Sequence, residues 1–209
     1  MDISLNPVAV EYYYGHEDEL SVDDFDSFVA HPFNKNKKFE LIDGQVVLMA
    51  GNASPNHQII KGEIFGEIRN YLKGKTCRVF DDLNLYLFRE GLGKCKNIYQ
   101  PDIMVCCDES KITRRGYEGV PDLVVEVISK STGDYDYGNK RNNYIRYGVR
   151  ELWIADLFIN QISVDKGGAT YKYKFDDVLK VSIFPDLSID FAEILAIVDK
   201  SELKWFEKC

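Results

Sequence analysis

The segment VPDLVVEVISK, residues 120–130, surrounds a single carboxylate, Glu126, with strand-forming valine, leucine and isoleucine. A run that is apolar on both alternating faces is the pattern of a strand covered by packing on each side. Alternation puts Asp122, Val124, Glu126 and Ile128 on one face and Leu123, Val125 and Val127 on the other. A second segment, IYQPDIMVCCD, is apolar on both faces too and carries Asp102 near its start. Two such strands demand layers above and below them. They predict an α/β (α+β) fold, a central mixed β-sheet flanked by helices.

Local signals fill in the order of elements. Ser21 followed by Asp24 reads as a helix start, with Phe25, Phe28 and Val29 as its apolar stripe and Pro32 beyond its end. Asp43-Gly44, set between FELI and QVVL, is a hairpin signal. Ile60, Ile64, Ile68 and Tyr71 recur at helical spacing over 56–72, placing His57 at that helix's start. Strands are expected over about 76–89, 98–107 and 122–129, then a helix from DYDYGNK ending at Gly148. ELWIAD and QISVD read as a hairpin, YKYKF and VLKVSIF as short β segments, and FAEILAIV as a terminal helix. No repeat or Pro/Ser-rich linker divides the chain, so residues 1–209 read as one domain.

Composition narrows the setting. No apolar run approaches the roughly 20 residues of a membrane span, and the N-terminus lacks a leader's basic and apolar regions. Cys77, Cys95, Cys106, Cys107 and Cys209 form an odd set without CxxC spacing, which supports neither a disulfide framework nor a zinc site. The expectation is a soluble cytoplasmic protein without membrane contact. The net charge of −8 argues against a non-specific nucleic-acid coat. Residues 61–150, however, hold 16 basic against 13 acidic side chains, a net of +3, leaving −11 on the two ends. A locally basic groove on an acidic body is compatible with a polyanionic partner, and so are scattered solvated lysines.

The chemistry centres on Asp102 and Glu126. If their strands are neighbours, the two acids converge at one end of the sheet. An unpaired buried carboxylate costs several kcal/mol, about 3–5 when a partner is removed, whereas two carboxylates around a cation offset that cost. Mg²⁺ suits such a pair, because one or two carboxylates hold it while water and phosphate oxygens complete its shell. Asp122, at its strand's start, reads as a turn residue. Glu126 does not, although pairing with a structural Arg or Lys is an alternative.

The order QPD (100–102), PDLVVEVIS (121–129) and DYGNKRNNYIRYGVRELWIAD (136–156), preceded by FELIDGQVVLMAGNASPNHQII (39–60), resembles the Uma-two family of restriction-endonuclease-like proteins in the PD-(D/E)XK nuclease superfamily. The resemblance covers roughly residues 20–195. It implies a restriction-endonuclease-like core in which Asp102 and Glu126 bind Mg²⁺ or Mn²⁺, a lysine assists, and DNA is the substrate. The position two after Glu126 is Ile128, where the superfamily's usual spelling has lysine. In the family the lysine comes from the following helix; Lys140 stands there, with Lys130 as the fallback. Glu40 and His57 match family positions lining the site; a cross-hairpin pair for Glu40 and a helix cap for His57 are their structural alternatives. By analogy with such nucleases a homodimer is expected.

Two other readings compete. A catalytically silent DNA-binding module could keep the scaffold without turnover. A protein-interaction module could use EYYYG, YKYKF, Trp153 and Trp205 as aromatic anchors.

Overall fold

A computed structural model describes residues 19–49, 53–128, 136–201 and 203. Helix α1 (Val22–Ala30) begins at a reciprocal Ser21/Asp24 capping box. Strands β1 (Phe39–Ile42) and β2 (Gln45–Leu48) form the expected hairpin, its turn made by Asp43 and Gly44 at φ 49° and 82°. Helix α2 (Pro55–Leu72) starts from Ser54, whose hydroxyl accepts from the His57 N–H.

The segment expected as one strand over 76–89 is two, β3 (Arg78–Asp81) and β4 (Leu85–Leu87). Residues 98–107 likewise divide into β5 (Ile98–Tyr99) and β6 (Ile103–Cys106). The second break falls at Pro101, which has no N–H to give to a ladder. In both cases the halves join different sheets. Strand β7 (Tyr117–Gly119) precedes β8 (Leu123–Val127). A turn over Asp136–Lys140, kinked at Gly138, leads into α3 (Arg141–Tyr147), shorter than the helix expected there. Gly148, left-handed at φ 93°, closes α3 as predicted. Strands β9 (Glu151–Asp156), β10 (Gln161–Lys166), β11 (Ala169–Tyr173), β12 (Val178–Lys180) and β13 (Ser188–Asp190) precede α4 (Phe191–Ile197).

The central sheet is mixed and six-stranded, ordered β11-β10-β9-β8-β6-β3, with β8 and β9 its parallel pair. A parallel pair needs a crossover, and here the crossover carries α3. A second sheet, β2-β1-β5-β4-β7, lies beside it, and β12 pairs with β13.

The alternation read along 122–128 divides the core. Leu123, Val125 and Val127 pack with Ile60, Ile64 and Ile68 of α2 and with Trp153 and Phe191. Val124 and Ile128 pack instead with Tyr144 and Tyr147 of α3 and with Leu85 and Tyr99 of the second sheet. Phe25 and Phe28 of α1 cover Phe39, Leu41 and Ile98 on the far side of that sheet. Trp153, proposed as an interface anchor, is fully buried and donates to Glu151 at 2.9 Å. EYYYG, Trp205, Lys130 and Cys209 lie outside the described residues.

Cys77 and Cys107 form a disulfide where β3 begins and β6 ends, a correction to the expectation that the cysteines support no disulfide framework. The two cysteines are 30 residues apart, and only the antiparallel pairing of β3 with β6 makes them neighbours. Among the described residues no helix is long and apolar enough to cross a membrane.

Helix α2 positions His57 by burying its isoleucine stripe. Ile64→Ala, at a fully buried position, should cost about 2–5 kcal/mol of stability in urea unfolding.

Candidate active site

Strands β6 and β8 are antiparallel neighbours, with Ile103 opposite Val125, so Asp102 and Glu126 meet one step beyond that pair. Each carboxylate faces a backbone N–H of the other's strand segment. The Asp102 N–H faces Glu126 Oε2 at 3.4 Å, and the Val127 N–H donates to Asp102 Oδ2 at 2.8 Å. Asp102 Oδ2 also lies 3.2 Å from His57 Nε2, at the first turn of α2. The cap of α2 is Ser54, not the His57 ring.

Lys140 arrives by the crossover between β8 and β9. Its ammonium is 3.0 Å from Glu126 Oε1 and 3.1 Å from Glu40 Oε1, and all three side chains are at most 5% exposed. Glu40 does not pair across its hairpin, where it faces Val47; its Oε1 accepts from the Gln100 N–H at 2.9 Å. The five residues singled out from the sequence, Asp102, Glu126, Lys140, Glu40 and His57, therefore form one connected constellation. Asp122 is bonded elsewhere, accepting from the Cys107 N–H and from Arg150, as a turn residue should.

Two supporting residues were not legible in the sequence. Tyr144 on α3 donates its hydroxyl to Glu126 Oε1 at 2.8 Å. Asn143 beside it donates to the Tyr99 hydroxyl at 2.9 Å and to Asn97 Oδ1 at 3.3 Å. These bonds dock the start of α3 against β5 and the β1–β2 turn. The available signal was helical spacing, since 140, 143 and 144 share a helix face. Nothing in their identity separated them from ordinary core and surface residues.

Electrostatics favour a cation here. Three acids, Asp102, Glu126 and Glu40, surround one lysine, a formal excess of −2 before the His57 imidazole is counted. Burial pushes the Asp102 carboxyl up. The His57 hydrogen bond and charge, the Val127 N–H and Lys140 outweigh it, and the result lies below the usual carboxylate range. Burial, with Glu126 and Glu40 close by, pushes the Tyr144 phenol well above its ordinary value and keeps it a donor.

Two carboxylates at the end of adjacent strands fit a divalent ion of the Mg²⁺ type, which needs only one or two such ligands. Glu40 Oε2 and His57 Nδ1 are buried polar atoms without a partner among the described residues, and the former is an acceptor to spare beside the acids. Among those residues no group of three or more His, Cys, Asp or Glu is arranged to hold a metal. Asp102 and Glu126 are the two carboxylates that would hold such an ion, with water and substrate completing its shell.

A family model described as "Putative restriction endonuclease", Uma2, matches residues 24–192. The chain belongs to the Uma2 family. Within that match lie all five residues of the constellation. An uncharacterized protein of Synechocystis sp. is 33% identical over 111 residues, 53% of this chain and 55% of the relative. The chain thus aligns with about half the length of that curated protein. The crystal structure of "a putative nuclease belonging to DUF820" from Anabaena variabilis superposes with a TM-score of 0.60 at 20% identity, covering 76% of this chain and 89% of that one. At that identity the likeness establishes the fold. Uma2 membership is what supports a nuclease-like function.

Two stability measurements follow. Lys140→Met leaves Glu40 and Glu126 buried without their cation and should cost about 3–5 kcal/mol near neutral pH, read by urea unfolding. Asp102 has a folded pKa below its unfolded value of about 3.9, so its ionised form stabilises the fold above that value and the contribution disappears as pH falls through the folded pKa. The stability gap between wild type and Asp102→Asn should accordingly shrink on acidification below about pH 4.

Proposed function

We propose that this chain is a metal-dependent DNA endonuclease that hydrolyses phosphodiester bonds, with Asp102 and Glu126 holding Mg²⁺ or Mn²⁺. The reading is carried by one observation: two acids side by side at the end of adjacent central strands, each facing a backbone N–H of the other's strand segment, with a buried lysine on the second of them.

When bound, the divalent ion would polarise the scissile phosphate and acidify water for in-line attack. The protein's own residues do the rest. Lys140, held between Glu40 and Glu126, places a positive charge where negative charge develops on the phosphoryl oxygens. Glu40 fixes that ammonium and is fixed in turn by the Gln100 N–H. His57 orients Asp102, and Tyr144 holds Glu126 Oε1, leaving the other oxygen directed toward Asp102. Such outer contacts commonly contribute about 10–100-fold to metal affinity or activity.

A second reading is a catalytically silent DNA-binding module on the same scaffold. It is favoured by the engagement of Lys140 with two carboxylates, the arrangement a purely structural ion pair would also have. A homodimer would set two sites against the two strands of a duplex; a monomeric mass by light scattering at micromolar concentration would remove that part of the proposal.

Thermal stability titrated with Mg²⁺ and Mn²⁺ separates the readings. Wild type should gain stability with metal and cleave DNA in its presence, while Glu126→Gln should do neither and stay folded. Lys140→Gln should retain the metal response and lose about 10²–10³ in turnover, the range for removing one transition-state donor. A folded wild type that ignores both metals, with and without DNA, would favour the silent module.

A further inference from the structure

A concavity opens where α2 ends, far from the acids. Arg69, Lys73, Lys75 and Arg78 line it beside Phe65 and Cys77, and no carboxylate does. Residues 69–78 hold four basic side chains and no acidic one, which leaves −12 on the remainder of a chain whose total is −8. This is a concentrated positive surface on an acidic body.

The four cations are not equivalent. Arg78 organises the turn, donating to the carbonyls of Lys75, Thr76 and Cys77 at 2.8, 3.3 and 3.3 Å and pairing with Glu109 at 2.6 Å. The Cys77–Cys107 disulfide anchors the same turn to the end of β6. Lys75 lies over the Tyr71 ring at 3.0 Å. Among the described residues Arg69 and Lys73 make no side-chain hydrogen bond or ion pair, and Lys75 makes none beyond that ring contact. Arg69, Lys73 and Lys75 are exposed. Arg69 and Lys73 are four residues apart, on one face at the end of α2. Three uncompensated cations, Arg69 on the last turn of α2 and Lys73 and Lys75 on a turn held by an arginine and a disulfide, form a surface ready for a polyanion.

We infer that this concavity is an accessory contact for the phosphodiester backbone of duplex DNA. The inference rests on the nuclease reading. Helix α2 connects the two places: His57 is in its first turn, and Lys73, its C-cap, lies about 24 Å further along the axis at 1.5 Å per residue. That is the length of about seven base pairs at 3.4 Å each. The contact is sequence-independent, because cations on a rim reach phosphates and not base edges. It binds and orients the duplex and takes no part in the chemistry.

The test is fluorescence anisotropy with a labelled duplex of about 20 base pairs, in EDTA so that nothing is cut, across a salt series. The proteins are wild type, Arg69→Gln/Lys73→Gln/Lys75→Gln, and a control, Lys172→Gln/Lys174→Gln, at the opposite edge of the sheet. The triple variant should weaken binding about tenfold or more near 100 mM salt and reduce the slope of log affinity against log salt by about two to three. The control should match wild type. If the triple variant keeps both affinity and slope, the patch is not a DNA contact and the nuclease reading stands untouched. A wild type that binds no duplex at all, in EDTA or with Ca²⁺, overturns both. A triple variant that binds DNA normally but loses self-association by light scattering makes the patch an interface between copies and overturns the inference.

Discussion

Lys140 between Glu40 and Glu126 is the interaction on which the arrangement of the site depends. The Lys140 ammonium lies within 3.1 Å of an oxygen of each carboxylate, and all three side chains are at most 5% exposed. Desolvating them is expensive, and such an arrangement persists only when further hydrogen bonds satisfy it. The Gln100 N–H serves Glu40, and the Tyr144 hydroxyl serves Glu126. Each of these donors belongs to a different layer, so the triad holds the second sheet, the central sheet and α3 to one another at a single point.

That junction explains why the chain breaks where it does. Pro101 ends the pairing of β5 and lets the backbone step from one sheet into the other. The step leaves Asp102 at the start of β6, opposite Glu126, instead of inside a continuous strand. His57 reaches the same carboxylate from the α2 side, while Asn56 on that helix exchanges hydrogen bonds of 2.7 Å with the backbone of Asp199 beyond α4. Strands and a helix thus deliver Glu40, Glu126 and His57, while Asp102 and Lys140 come from the segments that lead into β6 and α3.

Much of this was readable from local pattern. The two-sided apolar strands, the Asp43-Gly44 turn, the Ser21 cap, the isoleucine stripe of α2 and the Gly148 stop each depend on a few neighbouring residues, and each stands where predicted. So do the face assignments along 122–128, because alternation is a property of the strand itself. The divisions of 76–89 and 98–107 were not readable, since hydrophobicity does not reveal which sheet receives a strand. Nor was β7, whose three residues carry too little pattern. Cys77 and Cys107 gave no spacing signal because their meeting depends on a strand register.

The sequence by itself determined most of the elements, the pair of acids Asp102 and Glu126 and, through the four ordered blocks of the resemblance, the candidates Lys140, Glu40 and His57. Their structural alternatives could be decided only in three dimensions. Glu40 lies 100 residues from Lys140, and His57 lies 45 from Asp102. No local rule sets such contacts; sheet order and the β8–β9 crossover do. The roles of Tyr144 and Asn143 were tertiary decisions for the same reason. A tyrosine and an asparagine have the same composition in any setting, and only the docking of α3 turns their polar atoms toward Glu126 and Tyr99.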